Sequence, residues 1–410
     1  MHGEGELPRE AAEAFRSLPS RYLGAEPGFE ATYRVRLADI GRSWEVRCTA
    51  HGARVRAGGA SRRPDVVIAT DARTWLRLRA GELSGVEAFS QRLLSARGDL
   101  DLAVGFEGLF RLPTGRPPLL RIERVPAGRL RISTLTMGAG PDVVLLHGLG
   151  GAKSSFFDTA AALSRSYTVH AMDLPGFGGS SKPATTAYGP AFAARAVLAA
   201  MDSLGIGSAH LVGNSMGGRV AIEIALRHPE RVGGLGLLCP AVAFVRREWH
   251  PVIRLLRPEL GLLPHSLGRE RIERQFWGLF ADRDLVDPLV AEVAVDEFER
   301  IYRNPGARLA FLASARAIYL ERPFGRGGFY PRLAGLRPPA LFVWSTHDRL
   351  IPERLRPHVE RWLPEAEQVV LRGCGHVPQV EQPERTNGLL TRFFARVDAL
   401  GPRALRLAAA

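Results

Sequence analysis

The ten residues His210-Leu-Val-Gly-Asn-Ser-Met-Gly-Gly-Arg219 constrain this chain of 410 residues more than any other feature. An apolar run, Ala209–Val212, enters a Gly-x-Ser-x-Gly bend, and an amphipathic stretch from Met216 to about His228 leaves it. Such a strand-to-helix turn projects the hydroxyl of Ser215, and side chains two positions to either side would collide. Gly213 and Gly217 remove those side chains, Asn214 and Gly218 complete the elbow, and Gly218 lets the helix pack closely. The electropositive N-terminal end of the helix favours negative charge developing at the serine. A strand whose carboxyl end meets a helix belongs in a parallel sheet covered on both faces.

The surrounding sequence supplies such a sheet. Short Val/Leu-rich runs at Val143–Leu146, Tyr167–Met172, Leu235–Leu238, Ala340–Trp344 and Gln368–Leu371 alternate with helical stretches. A hairpin, Leu119–Val125 with Arg129–Thr136, precedes them. Strand signals vanish over 240–337, which reads as an all-helical insertion whose aromatics (Trp249, Phe276, Trp277, Phe280, Phe311) are mostly core packing. The insertion's arginines read as a solvated face.

Three segments add chemistry at strand ends. Val143-Val-Leu-Leu-His-Gly-Leu-Gly-Gly151 is a buried strand ending in His-Gly, so Leu149 N–H and Met216 N–H are the expected oxyanion donors. Asp348 follows one strand and His376 lies in the loop after the last. The order Ser…Asp…His is that of a nucleophile-elbow hydrolase. In this reading His376 takes the Ser215 proton, Asp348 fixes the imidazole tautomer, and water cleaves an acyl-enzyme. His147 reads as a support of the oxyanion loop, Asp173 as an anchor of the 175–179 loop, His347 as structural, and Cys374 as a small buried residue. No metal-ligand spacing occurs, and neither metal nor organic cofactor is implied.

The first composition break is Arg111-Leu-Pro-Thr-Gly-Arg-Pro-Pro118. It divides the chain into a tail at 1–14, a small α+β unit at 15–112, a linker at 113–118, an α/β unit at 119–400 and a tail at 401–410. The smaller unit shows strand runs at Ala31–Leu37, Arg42–Thr49, Arg54–Ala57 and Asp65–Thr70, then a helix over Ala72–Arg79. The formal charge is +13, but Lys153 and Lys182 are the sole lysines among 55 basic residues and no basic cluster stands out. Nucleic acid is therefore not an expected partner; weak peripheral attraction to anionic membrane surfaces is the electrostatic expectation left. Three cysteines make no disulfide framework, and the acidic start carries no signal-peptide pattern, so the cytosol is the expected location. No apolar run is long enough for a transmembrane helix.

With these motifs in view, residues 118–400 resemble the α/β-hydrolase family, including Asp173-Leu-Pro-Gly-Phe-Gly-Gly-Ser180 and His376-Val-Pro-Gln-Val-Glu-Gln-Pro-Glu384. The insertion falls at that family's cap position. His-Gly-Leu-Gly-Gly-Ala-Lys with Gly-Asn-Ser-Met-Gly-Gly is most similar to bacterial lipases and esterases, which implies cleavage of a small hydrophobic ester or lipid. The meta-cleavage carbon–carbon hydrolases share the Asn before the serine but usually carry Trp after the catalytic His, where this chain has Val377. Carbon–carbon hydrolase or thioesterase is the alternative activity. Residues 15–112 resemble the sterol carrier protein family, through Asp39-Ile-Gly-Arg-Ser-Trp-Glu-Val-Arg47, Pro64-Asp-Val-Val-Ile-Ala-Thr-Asp71, Trp75-Leu-Arg-Leu-Arg-Ala-Gly81 and Ser95–Val104. That resemblance implies an apolar tunnel for a lipid; an interaction or dimerisation module, or a carrier with a non-catalytic second half, are the other readings.

Overall fold

The computed structural model describes all residues except 1–5, 60–62, 186, 246–249, 264–267 and 408–410, so Trp249 lies outside the described residues. The chain forms two compact units, Met1–Ile122 with Thr136–Gly138, and Glu123–Leu135 with Ala139–Ala410.

The first unit is a five-stranded sheet of β1 (Glu30–Leu37), β2 (Arg42–Thr49), β3 (Gly52–Ala57), β4 (Val66–Thr70) and β5 (Leu94–Gly98) in the order β3-β2-β1-β4-β5. Alternation sets its faces: in β1, Ala31, Tyr33, Val35 and Leu37 point inward while the residues between them face out or lie half-buried. The strand β1 runs antiparallel to β2 and parallel to β4. The helix Ala72–Ala80 starts where Asp71 accepts a hydrogen bond from Thr74 N and stops at left-handed Gly81 (φ 74°). Glycine meets that backbone conformation without steric cost.

The N-terminal segment departs from the sequence reading. Residues Glu6–Arg16 are a helix, so the expected tail at 1–14 is largely structured: Ala11 and Phe15 are buried. Five charged residues on its other faces (Glu6, Arg9, Glu10, Glu13, Arg16) disguise that narrow apolar stripe. The Phe15 ring stacks between Trp44 at 4.2 Å and Trp75 at 4.3 Å, with Phe106 beside Trp75 and Tyr33. An aromatic stack thus fills this part of the interior.

The second unit is an eight-stranded sheet. It comprises β6 (Leu120–Ala127), β7 (Leu130–Gly138), β8 (Asp142–Leu146), β9 (Thr168–Met172), β10 (Ala209–Asn214), β11 (Val232–Leu238), β12 (Ala340–Ser345) and β13 (Glu367–Leu371). The order is β13-β12-β11-β10-β8-β9-β7-β6. All pairs from β9 through β13 are parallel. Residues of β10 and β12 are buried throughout, which is why β12, Ala-Leu-Phe-Val-Trp-Ser, reads as a near-continuous apolar run rather than an alternating one. Between β11 and β12, the described residues of 240–337 hold helices, among them Arg269–Trp277, Pro288–Tyr302 and Pro305–Tyr319. The final helix, Pro383–Leu407, is interrupted at Gly401 (φ 67°, ψ 168°), so the expected tail at 401–410 begins with helical residues after that break. Residues 408–410 lie outside the described residues. No helix among the described residues is long and apolar enough to cross a membrane.

Candidate active site

The strand β10 ends in the bend anticipated from its sequence. Ser215 sits at φ 52°, ψ −115°, a conformation L-residues avoid and one that persists only where the surroundings enforce it. Two bonds do so: Ser215 N–H donates to Leu238 O (3.0 Å), and Ala241 N–H donates to Ser215 O (2.9 Å). A Cβ on Gly213 would overlap the backbone of Gly217, and one on Gly217 would overlap the carbonyl oxygen of Leu146. At Gly218 it would come within 2.9 Å of Pro240 Cβ. Each glycine of the elbow is therefore a steric requirement.

His376 and Asp348 are brought together as expected. Asp348 Oδ2 accepts from His376 Nδ1 at 2.7 Å, and Oδ1 accepts from Leu350 N–H (2.8 Å) and Ile351 N–H (2.9 Å). A carboxylate so engaged keeps the ring proton on Nδ1 and leaves Nε2 as the acceptor. Asn214 links this pair to the elbow, its Nδ2 donating to Leu238 O (3.1 Å) and to His376 O (3.0 Å). Sequence gave Asn214 a place in the elbow but no partner. Among the described residues Ser215 Oγ makes no hydrogen bond, and contacts of this kind commonly tighten only when substrate is bound.

Behind the pair lies Cys239, whose thiol, with Asp348 and His376 Nδ1, forms a group of donors within 4.8 Å of one another. This is a poor metal centre. The carboxylate and imidazole are already bonded to each other, and burial, then the charge of Asp348, pushes the Cys239 thiol well above its ordinary range. Burial likewise pushes the Cys374 thiol up to about 12, so both sulfurs are protonated packing groups.

The 147–151 loop approaches the serine closely: a Cβ on Gly148 would lie 2.9 Å from Asn214 Oδ1 and 3.3 Å from Ser215 Cβ. His147 fixes this loop. Its Nδ1 bonds to Gly148 O (2.7 Å) and its Nε2 accepts from Leu174 N–H (2.9 Å). Burial pushes the imidazole's pKa down, so the neutral Nδ1–H tautomer fits both bonds. Met216 is the first residue of its helix, where an N–H has no intrahelical acceptor. Leu149 follows Gly148 directly.

Beneath the loop is a buried ion pair that sequence reading missed. Lys153 Nζ lies 2.8 Å from Asp173 Oδ2 with both side chains at 0% exposure. Asp173 also accepts from Lys153 N–H (2.7 Å) and Gly179 N–H (2.8 Å), which gives it the anchoring place expected for the 175–179 loop. Burial alone would raise the Asp173 pKa, but the adjoining ammonium and backbone donors hold it below the usual carboxylate range.

The helical insertion is tied to the histidine loop by Glu381. Its Oε2 accepts from Gly375 N–H (2.6 Å), and its Oε1 from Ala281 N–H (2.7 Å) and Asp282 N–H (2.8 Å). His376 N–H donates to Leu279 O at 2.6 Å. Phe276, Trp277 and Leu279 pack with Phe280 and Val377 in one apolar cluster, as expected of core aromatics. Two apolar spaces border the elbow and the 147–151 loop. One small space lies between Met216, Phe177, Tyr188, Phe192, Ser314 and Ile318. The other lies between Gly150, Phe298, Tyr302 and Phe311. No charged residue lines either space. One arginine of the insertion departs from the solvated face expected of it. Arg308 is buried and donates to the carbonyls of Gly261, Leu263, Tyr302 and Arg303.

Comparison with known proteins agrees with this architecture. Residues 141–383 match the profile of the alpha/beta hydrolase fold family, and residues 23–111 that of the SCP-2 sterol transfer family. A 2-hydroxymuconate semialdehyde hydrolase of Pseudomonas putida is 30% identical over 288 residues, covering 68% of this chain and 95% of that protein. A pimeloyl-[acyl-carrier protein] methyl ester esterase of Aeromonas hydrophila is 28% identical, covering 64% and 99%. Among solved structures, a bacterial membrane phospholipase A is 28% identical with a TM-score of 0.57, covering 68% of this chain and 87% of that one.

Proposed function

We propose that this chain, which belongs to the α/β-hydrolase fold family and is a hydrolase, cleaves acyl esters of apolar, lipid-like substrates through a Ser215 acyl-enzyme. In this reading His376 Nε2 accepts the Ser215 proton as Oγ attacks the ester carbonyl. Asp348 holds the imidazolium, and the Leu149 and Met216 amides bind the oxyanion. The alcohol leaves with the proton from His376, and water activated by the same imidazole releases the acid. The resemblance to SCP-2 proteins supports lipid binding by the N-terminal unit, about residues 15–112, ahead in sequence of the catalytic unit at 119–400.

The observation that carries the choice of substrate is the uncharged lining of the two spaces, one beside Met216 at the elbow and one beside Gly150. Several relatives are named for dienoate or dienedioate substrates, which are anions. A buried anion needs a cation. The buried cations of this half are engaged elsewhere: Lys153 with Asp173, Arg219 with Glu223 and Glu321, and Arg308 with four carbonyls. Val377 in place of the Trp usual in carbon–carbon hydrolases points the same way. The methyl ester esterase and the phospholipase among its relatives act on acyl compounds by name.

The test is turnover of p-nitrophenyl esters of graded chain length beside a 2-hydroxy-6-oxo-dienoate. Esters should be cleaved faster, with Ser215→Ala lowering turnover on the order of 10⁴-fold or more. Faster cleavage of the dienoate would overturn the ester reading; undiminished activity in the variant would overturn the nucleophile.

A further inference from the structure

Twelve large apolar side chains stand exposed among the described residues, and five of them fall within residues 252–263. Leu255 is 80% exposed, and Val252, Leu260, Leu262 and Leu263 are between 43% and 61% exposed. They lie on the short helix His250–Leu255 and the turn Pro258–Leu262 with the residue after it. Scattered exposed leucines are ordinary, whereas a contiguous group marks a surface that meets something apolar.

The ledge is held in place, not left loose. Arg308, buried in the helix Pro305–Tyr319, donates to Gly261 O (2.8 Å) and Leu263 O (3.0 Å), while Arg316 donates to Arg254 O (3.2 Å). A Cβ on Gly261 would come within 2.6 Å of Leu309 N, so the turn lies flush on that helix. Its backbone is satisfied from beneath and its leucines are directed away.

The charges beside these leucines choose the occupant. Arg254 and Arg257 are exposed within residues 250–263, against a single acid, Glu259. A second copy of the chain meeting this face would bring four guanidinium groups together against two carboxylates. An anionic bilayer offers both halves of the match, hydrocarbon for the leucines and headgroup charge for the arginines. We propose that residues 250–263 dock the protein on the surface of an anionic phospholipid membrane, with Val252, Leu255, Leu260, Leu262 and Leu263 entering the headgroup region. The ledge is part of the insertion that covers the catalytic elbow, so this contact sets the hydrolase unit down on a lipid source. The inference does not depend on the ester reading, because docking is measured without turnover.

The experiment is flotation of the full chain with phosphatidylglycerol/phosphatidylcholine vesicles and with phosphatidylcholine alone. It compares the natural protein with Leu255→Glu/Leu260→Glu/Leu263→Glu and with Arg254→Gln/Arg257→Gln. Binding to anionic vesicles should fall at least tenfold in the leucine variant. It should fall severalfold in the arginine variant, and weaken in the natural protein as salt is raised. Far-UV circular dichroism and the thermal unfolding midpoint should be unchanged in both variants, which reports that they are folded. Equal vesicle binding by the leucine variant and the natural protein overturns the proposal and assigns membrane contact to another surface. A natural protein that binds no vesicles, but elutes as a dimer that the leucine variant dissociates, overturns it in favour of self-association.

Discussion

The two units treat buried charge in opposite ways. In the hydrolase unit, interior ions are matched: Lys153 with Asp173, and Arg219 with Glu223 and Glu321. Glu381 holds three backbone donors and Arg308 four carbonyls. In the N-terminal unit, Arg79 and Glu107 are buried with groups left over. Arg79 Nε and Nη2 and Glu107 Oε1 have no hydrogen-bond partner, and Arg79 rests instead over the rings of Trp75 and Phe110. Glu107 Oε2 alone is engaged, accepting from Gly85 N–H at 2.7 Å. Matched ions fix geometry, as the 147–151 loop and the histidine loop require. Buried polar groups without partners cost stability through desolvation that no bond compensates. The hydrolase unit is accordingly built to hold positions, and the N-terminal unit tolerates an interior that is electrostatically unfinished.

The contrast can be broken by substitution. Replacing Lys153 by Met strands Asp173 in the interior and should destabilise the hydrolase unit by about 3–5 kcal/mol, read by denaturant unfolding. A loss below about 1 kcal/mol would mean the pair contributes little to fixing the loop. Glu381→Gln should cost less, about 1.5–3 kcal/mol, since a neutral amide keeps only part of the acceptor capacity. It should also lower kcat more than it raises KM, because Gly375 precedes the imidazole; a pure KM effect would confine Glu381 to the insertion.

Two further measurements address the N-terminal unit. Burial pushes the Glu107 carboxyl up to about 8, opposed by the Gly85 N–H and by Arg79. Between roughly the ordinary carboxylate range and that value, the folded chain keeps a proton that the unfolded chain has lost. Stability of this unit should therefore fall as pH rises through that window, by at most about 1.4 kcal/mol per pH unit, and level off above it. Glu107→Gln should flatten that slope in a series of unfolding curves; a slope unchanged by the substitution would mean another group carries it. The smallest effect is expected from Arg79→Met. Removing an unmatched buried cation should shift unfolding by no more than about 1 kcal/mol, with stabilisation as the favoured sign. A loss as large as that of Lys153→Met would erase the distinction between the units.

What could be read from sequence follows the same division. The positions of the elbow, Asp348 and His376 were legible because each lies at or in the loop just after the carboxyl end of a strand that local pattern marks. Glu381, Lys153 and Arg308 were not, since their partners lie in segments remote in sequence or on backbone atoms that sequence does not mark. Lys153 did leave a trace, being one of two lysines in a chain otherwise based on arginine. The helix Glu6–Arg16 was hidden by its charged faces, and β5, Leu-Ser-Ala-Arg-Gly, carries too few β-branched residues to be recognised as an edge strand.

The bond from His376 N–H to Leu279 O, doubled by Glu381, has a mechanical consequence. Residues 279–282 are bolted to the loop that carries the imidazole, so lifting that end of the insertion would pull the ring away from its carboxylate. The opposite flank, where Phe311 and Phe298 pack against Gly150, carries no such tie to the imidazole. The covering is thus riveted to the acid–base pair along one edge and merely rests on the elbow's neighbouring loop along the other.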